Sequence, residues 1–446
     1  LARDFPTSKQ EIRDRIFEAG VVGAGGAGFP THIKAAAAAD TVIANACECE
    51  PLLATDRHVL TSQLDEMVDG LLLMMLSTGA GRGYVALREG QGEVVGRVTE
   101  GVRGVKGIDV VVVADTYPAG DEHILVYEAT GRVIPQGGIP PDVGVVVSNA
   151  NTLVNVKRAV GGEPVTDRII SICGDLAHPC VVEVPVGTTV EDALDLTGNG
   201  SDLEDKGLLL SGIMMGQYCE DPATPIDKRA GSITVLPQDS EIMVRKSLPV
   251  DVMIRRAASV CCQCTQCTEL CPRHLMGHDI NPHTIMRAIS WGREYVPDLA
   301  GALFCSGCGL CGVYVCPMLL SPDRISFMVR AEMGARGVSQ EGEPAGEVLP
   351  VRSGRLVPHA RIVERTGLRL YERELEFVGR VEPRRVRIPL LQHVGASATP
   401  VVKEGDIVRR GQIVGEISRE AVGARVHASI DGVVAEVGPA VVVEKQ

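Results

Sequence analysis

The sequence predicts a multi-domain α/β protein, and three observations carry that reading. β-branched, buried-looking runs alternate with helix-patterned stretches over residues 1–164, the signature of an α/β domain. Nine of the fourteen cysteines fall between Cys261 and Cys316, which marks a separate module. The last stretch, 381–446, alternates short apolar strands with glycine turns, a small all-β pattern. At 446 residues the chain has room for about three domains of ordinary size.

Composition narrows the class. The chain is 45% hydrophobic and 23% charged, so it can bury several cores. Its net charge of -13 repels phosphate backbones and only 3% of residues are aromatic, which argues against nucleic acid as a partner. The apolar run "LLLMML" (71–76) is far shorter than the ~20 residues that span a bilayer. No direct membrane span and no apolar leader are expected, and a cytoplasmic location follows as an expectation; the first residue is Leu, not Met.

The most specific signal is a pair of cysteine quartets. "CCQCTQCTELCP" places Cys261, Cys264, Cys267 and Cys271 at two-, two- and three-residue spacing before Pro272, the ferredoxin run for a 4Fe–4S cluster. "CSGCGLCGVYVCP" repeats it as Cys305, Cys308, Cys311 and Cys316 before Pro317, with one extra residue ahead of the last cysteine. In two-cluster ferredoxins the fourth cysteine serves the other cluster. That pairs Cys261, Cys264 and Cys267 with Cys316, and Cys305, Cys308 and Cys311 with Cys271, although the inserted residue could change which thiol reaches which iron. Structural zinc is the alternative, but zinc sites use separated two-cysteine hooks rather than three cysteines in a row. "HDINPHTIMRAISWGREY" between the quartets has Ile285, Ala288 and Ile289 at helical spacing. His274 and His278 are read as a pair on one helix face, hydrogen-bonded or solvated rather than ligating, and Cys262 as a small packed residue.

Near the front, "GVVGAGGAGFPTHIK" holds Gly23, Gly25 and Gly28 at dinucleotide-fingerprint spacing, with Gly26 between them. A fingerprint needs a preceding strand. Here "SKQEIRDRIFEAG" has Ser8 and Glu11 at capping-box spacing and Ile12, Ile16 and Phe17 at helical spacing, so a helix precedes the loop. Ala35 after Lys34 excludes a Walker loop. What remains is either an anion-holding loop or a tight structural turn, followed by a helix that Pro30 opens and the alanine run favours. "DTVIANACECEP", "IDVVVVADTYPAGDE" and "VGVVVSNANTLVNV" each run from a strand into a polar turn where a ligand crevice would open.

In that order and followed by the double quartet, "GAGGAGFPTHIK", "NACECEP", "YPAGDE" and "SNANTLVNV" resemble the family of RnfC and the PduS-type cobalamin reductases. The chain is more distantly similar to the flavin-carrying subunit of respiratory complex I. The resemblance implies a Rossmann-like flavin/NADH domain (1–164), a β-grasp SLBB-like domain (165–245) and an α-helical dicluster ferredoxin module (246–335). A linker (336–380) and a barrel-sandwich module (381–446) of lipoyl-like, unmodified type would follow. Gly23, Gly25, Gly26, Gly28 and Lys34 would line the FMN phosphate. Asn45 would lie near the flavin or nicotinamide with Glu48 and Glu50, the two carboxylates assigned to catalysis; Cys47 would be incidental. Tyr117, Gly120, Asp121 and Glu122 would line the dinucleotide pocket, and Asn149, Asn151 and Thr152 would close the FMN site.

In the middle domain Cys173, Cys180 and Cys219 have no ligand spacing and read as core thiols, while "GIMMGQY" (212–218) reads as a segment packed on the flavin domain. The Gly-, Glu-, Pro- and Ser-rich stretch 336–354 reads as a mobile connection. "SREAVGA" offers no lysine where a lipoyl or biotin carrier needs one, and Lys403 lies in an earlier turn. The expected enzyme passes electrons from NADH through FMN and two 4Fe–4S clusters to a redox protein or, most directly by resemblance, a corrinoid. That implies partner subunits or a microcompartment shell around it. The alternative is a relay subunit of a larger complex that does not itself oxidise NADH.

Overall fold

The computed structural model describes residues 8–201, 203–292, 299–338 and 344–445. Its first element, α1 (Lys9–Glu18), is capped by Ser8, whose hydroxyl accepts from Glu11 N, and it buries Ile12, Ile16 and Phe17. A helix thus leads into the glycine loop, as the spacing predicts. The following helix α2 (Thr31–Ala36) stops short of the alanine run's end because Ala37 turns extended, with ψ 141°.

The first domain is a parallel sheet of β1 (Thr41–Asn45), β2 (Arg82–Arg88), β3 (Ile108–Val113) and β5 (Val145–Asn149) in the order β3-β2-β1-β5. Both faces are covered. On one face, α4 (Leu64–Thr78) and α7 (Ala150–Val160) share a core with Leu71, Leu73, Met74 and Leu153, each fully buried and each contributing about 1.5–3 kcal/mol. Gly70 lets the two helices touch: a Cβ there would lie 1.9 Å from the Leu153 carbonyl oxygen. On the other face α6 (Glu122–Thr130) packs Leu125 and Val126 against Ile43 and Ala86.

The second domain is a mixed sheet of β6 (Asp167–Gly174), β7 (Cys180–Pro185), β8 (Lys206–Leu210), β9 (Gln217–Cys219) and β10 (Ser232–Pro237), with the helix Val190–Leu196 after β7. β6 and β10 form a central parallel pair, and the flanking pairs are antiparallel. Cys173, Cys180 and Cys219 are buried here, as expected of core thiols.

The cysteine-bearing module is helical. Val250–Val260, Pro282–Ser290 and Pro322–Ala335 pack Met253, Ile285, Met286, Ile325 and Val329 into one core. Two expectations are corrected. His274 and His278 do not share a helix, because Pro272–Leu275 is a single turn that Gly277 ends at φ +85°. Cys262 is exposed rather than packed.

The stretch expected as a linker, 336–380, is largely built. Residues 339–343 fall outside the described set. From Arg352 onward come a short helix, β11 (Val357–Pro358) paired with β4 (Thr116–Tyr117), a helix His359–Arg365, and β12 (Glu376–Arg380), which joins β7 at the edge of the mixed sheet. Ile362, Val363 and Leu368 bury themselves in the core that holds Tyr117 and Cys308, which is why this segment is ordered. The final strands form two small sheets closed around Val386, Ile388, Val414, Val426 and Val443. The tip "SREAVGA" docks on α1: Arg419 pairs with Asp14 and lies 4.9 Å over the Phe17 ring.

Candidate functional site

Strand order reverses between β1 and β5, so the sheet has a topological switch point, where open α/β sheets bind ligands. β1 ends there at Asn45 and β5 at Asn149. The glycine loop reaches this place without a strand to carry it. Gly23 N donates to Phe29 O at 2.9 Å and Val22 bridges Pro30, which closes the loop on itself. Ala24 N donates to Thr152 Oγ1 at 2.9 Å, and Arg168 of β6 donates to Ala24 O at 3.0 Å. A Cβ on Gly25 would lie 3.4 Å from Asn149 Cβ, whereas Gly26, at φ +98°, has open space where its side chain would be. Gly28, at φ +65°, lies against Arg229, and its carbonyl accepts from Val394 N at 3.2 Å. Gly23–Gly28, Asn149, Asn151 and Thr152 are thus brought together. Lys34 is not part of that cradle as built, because its Nζ donates to Val147 O of β5 at 3.1 Å.

The acidic residues after β1 are spent on backbone. Glu48 accepts from Thr55 Oγ1, Asp56 N and Arg57 N at 3.0, 3.0 and 3.2 Å and so caps α3 (Thr55–Ser62). Glu50 accepts from Ile213, Met214 and Met215 N at 3.1, 2.9 and 2.8 Å, tying the "GIMMGQY" segment to the first domain. Met214 is buried there and Met215 exposed. Burial pushes both carboxyls above their usual range, against the pull of those N–H donors. Asn45 holds the turn above it, donating to Gly120 O at 2.8 Å.

Residues 117–123 face the cysteine module. Tyr117 is buried and its hydroxyl donates to Cys308 O at 2.6 Å. Asp121 caps α6 through His123 N and pairs with Arg273 at 3.0 Å, both side chains being largely buried. Burial raises the Asp121 carboxyl, but the Arg273 guanidinium outweighs it and the net shift is downward. His123 Nδ1 and His278 Nε2 lie 3.3 Å apart. Glu122 opens α6 half-buried.

The thiols follow the crossed pairing. Burial raises Cys267 to about 12, and among its charged neighbours Cys316 weighs most, before Cys264 and Cys261. Cys271 is raised to about 12 likewise, and its thiol neighbour is Cys308. The extra residue of the second run is absorbed in a π-helical turn, Leu310–Val315, in which Cys316 N donates to Cys311 O at 3.1 Å, five residues back. Gly312 permits it: a Cβ there would lie 2.0 Å from Asp323 Oδ1. Among the described residues no three His, Cys, Asp or Glu converge on a point that would hold a single metal ion, as a zinc site requires. A cubane's four thiolates stand farther apart than zinc ligands, and four-cysteine donor sets of this spacing suit it.

Sequence reasoning missed Asp56, Arg168 and the His123–His278 contact. The first two had no motif around them, and the third joins positions too far apart in sequence for any spacing rule. The cleft of about 780 Å³ beside β7 and β12 is lined by none of the predicted site residues.

A glycine cradle over a switch point, joined through Tyr117 to two interleaved cysteine runs, is the architecture of a flavo-iron–sulfur oxidoreductase. Residues 16–158 match the Nuo51 FMN-binding domain, 260–321 the 4Fe-4S dicluster domain and 374–446 the RnfC barrel sandwich hybrid domain. The chain is 39% identical to cobalamin reductase PduS of Citrobacter freundii, over 96% of this chain and 95% of that one. It is also 39% identical to the PduS of Salmonella typhimurium, over 97% and 96%. A more partial likeness, 31% identity over 59% and 58%, is to a component of the Na(+)-translocating ferredoxin:NAD(+) oxidoreductase complex of Acetobacterium woodii. The chain belongs to the PduS cobalamin reductase family, and it is an oxidoreductase with an FMN-binding domain and a 4Fe–4S dicluster domain. Among the described residues no helix is long and apolar enough to cross a membrane.

Proposed function

We propose that this enzyme takes hydride from NADH and passes electrons singly through two 4Fe–4S clusters to a corrinoid acceptor. FMN bound at the switch point would supply the conversion from two-electron to one-electron chemistry. The observation that carries the reading is Tyr117: one buried side chain belongs to the crevice loop and donates to the backbone of a cluster cysteine. The residues divide the work. Gly25 and Gly26 leave room for a phosphate beside backbone N–H groups and the amino end of α7, where the helix dipole favours an anion. Arg168 and Thr152 hold the loop in that shape. We assign Glu48 and Glu50 a positioning part, since their oxygens are engaged with N–H groups.

The two cysteine sets then differ in place. Cys308 is buried against Tyr117 and Met214, so the set Cys305, Cys308, Cys311 and Cys271 lies on the crevice side. Cys264 is exposed, so the set with Cys261, Cys267 and Cys316 faces outward toward an acceptor. The middle domain is read as SLBB-like. A location beside or inside a microcompartment rests on the PduS relatives alone.

Anaerobic reconstitution with iron, sulfide and FMN, followed by optical titration with NADH, tests the reading. Bleaching of flavin and then of the cluster absorbance is expected, with a corrinoid reoxidising the protein. Iron and sulfide without flavin binding or NADH reactivity would leave only the relay reading, and zinc without sulfide would exclude both.

A further inference from the structure

Asp56 is the buried titratable group at the switch point that the reading above leaves without a part. It is the second residue of α3 and 8% exposed. Its carboxylate accepts from Asn149 Nδ2 at 3.1 and 3.3 Å and from Asn151 Nδ2 at 3.1 Å. A carboxylate only accepts, so both amides turn their NH2 ends inward. The Asn149 carbonyl is thereby aimed at Asn151 N, 3.0 Å away. The same helix turn anchors the glycine loop through Thr152.

No cation forms an ion pair with Asp56 among the described residues. Arg168 on β6 is near, but its guanidinium donates to the Ala24 and Ala230 carbonyls. Glu48, on the loop after β1, is the acidic neighbour. On α7, Lys157 and Arg158 pair with Asp69 and Glu66 of α4. Arg97 of α5 (Glu93–Gly101) donates to Thr61 O at the far end of α3, and Arg57 pairs with Glu374. The carboxyl is therefore held by neutral amides, and burial, then Glu48, push it up to about 7.

We propose that Asp56 is a positioning residue of the flavin crevice that takes up a proton when reduction adds negative charge there. The inference rests on the flavin reading above. A hydride brings two electrons and one proton, NADH leaves as NAD+, and the crevice gains one negative charge. That charge favours the neutral carboxyl, which forms an O–H bond with a proton drawn from water. The asparagine amides keep the side chain in place in either state.

The test uses the reconstituted full chain. The flavin midpoint potential is measured anaerobically from about pH 5.5 to about 8.5, together with redox-difference infrared spectra. In the wild type the potential should bend with pH near neutrality and a protonated-carboxyl band should appear on reduction. Asp56→Asn should straighten the line and remove the band, and Asp56→Glu should keep the band at a shifted frequency. An unchanged bend and band in flavin-loaded Asp56→Asn would overturn the proposal. If that variant loses flavin, the absence of a carboxyl band in the wild type overturns it. A wild type that binds no FMN sinks the flavin reading itself, and is told apart by its flavin content.

Discussion

Gly25 is the residue at which the cradle is most easily closed. Its missing side chain already leaves only contact distance to Asn149, so the two methyls of Gly25→Val must enter the space where a phosphate would lie. FMN affinity should fall at least tenfold, about 1.4 kcal/mol, with iron and sulfide unchanged. Flavin fluorescence after release and iron analysis check both halves, and full flavin retention would move the site elsewhere. Glu50 makes a second point at this scale. Gln in its place turns an NH2 group toward three N–H donors that now share a carboxylate. Glu50→Gln should cost about 2–3 kcal/mol in denaturant unfolding, because buried donors are left unpaired.

At the scale of elements, the helices and strands around the site were largely legible and their contacts were not. The strands after which Asn45 and Asn149 stand could be read from β-branched runs, and α1 from Ser8 and its apolar spacing. Both quartets were legible because ligand spacing is local. What could not be read was where side chains separated by a hundred residues meet: Asp56 with Asn151, Arg168 with Ala24, Glu50 with Met214. Glu48 and Glu50 stood where a ligand would be met, yet local sequence carries no sign of whether a carboxylate faces a substrate or a helix end. The segment 351–380 misled for a related reason: its Gly and Pro content describes local flexibility, while its order comes from burying Ile362 and Val363 in a distant core. The π turn permits a sharper trial. Deleting Tyr314 restores three-residue spacing but removes the residue that the turn accommodates, so Cys316 should leave its set. Such a chain should hold about half the iron and sulfide of the wild type, measured after reconstitution.

Across the whole molecule, buried basic groups sit at the joints between domains and set its response to pH. His123 and His278 join the first domain to the cysteine module, and burial pushes them down to about 3 and about 4. An unfolded imidazole binds its proton near 6.5. The unfolded chain therefore takes up protons that the folded one refuses: stability is whole above about 6.5 and is lost as the pH falls toward 4. Thermal midpoints should drop over that range, and less so in a variant with His123→Gln and His278→Gln. Lys228 acts at the joint of the first, middle and last domains, donating to Gly20 O at 2.8 Å and Arg425 O at 3.0 Å. Burial lowers it to about 7. Between that value and the unfolded value near 10.4 only the unfolded lysine holds its proton, so this group's contribution rises with pH. Lys228→Met should flatten the alkaline part of the same profile.

The contact between Gly28 and Val394 also bears on how the protein is made. The glycine loop leaves the ribosome early, and the residue that closes its outer side emerges hundreds of residues later. At ~5–20 residues per second, tens of seconds separate the two. During that interval a nascent chain has the first wall of its pocket without the last, so stable loading with flavin becomes an event of the finished polypeptide rather than of its first domain.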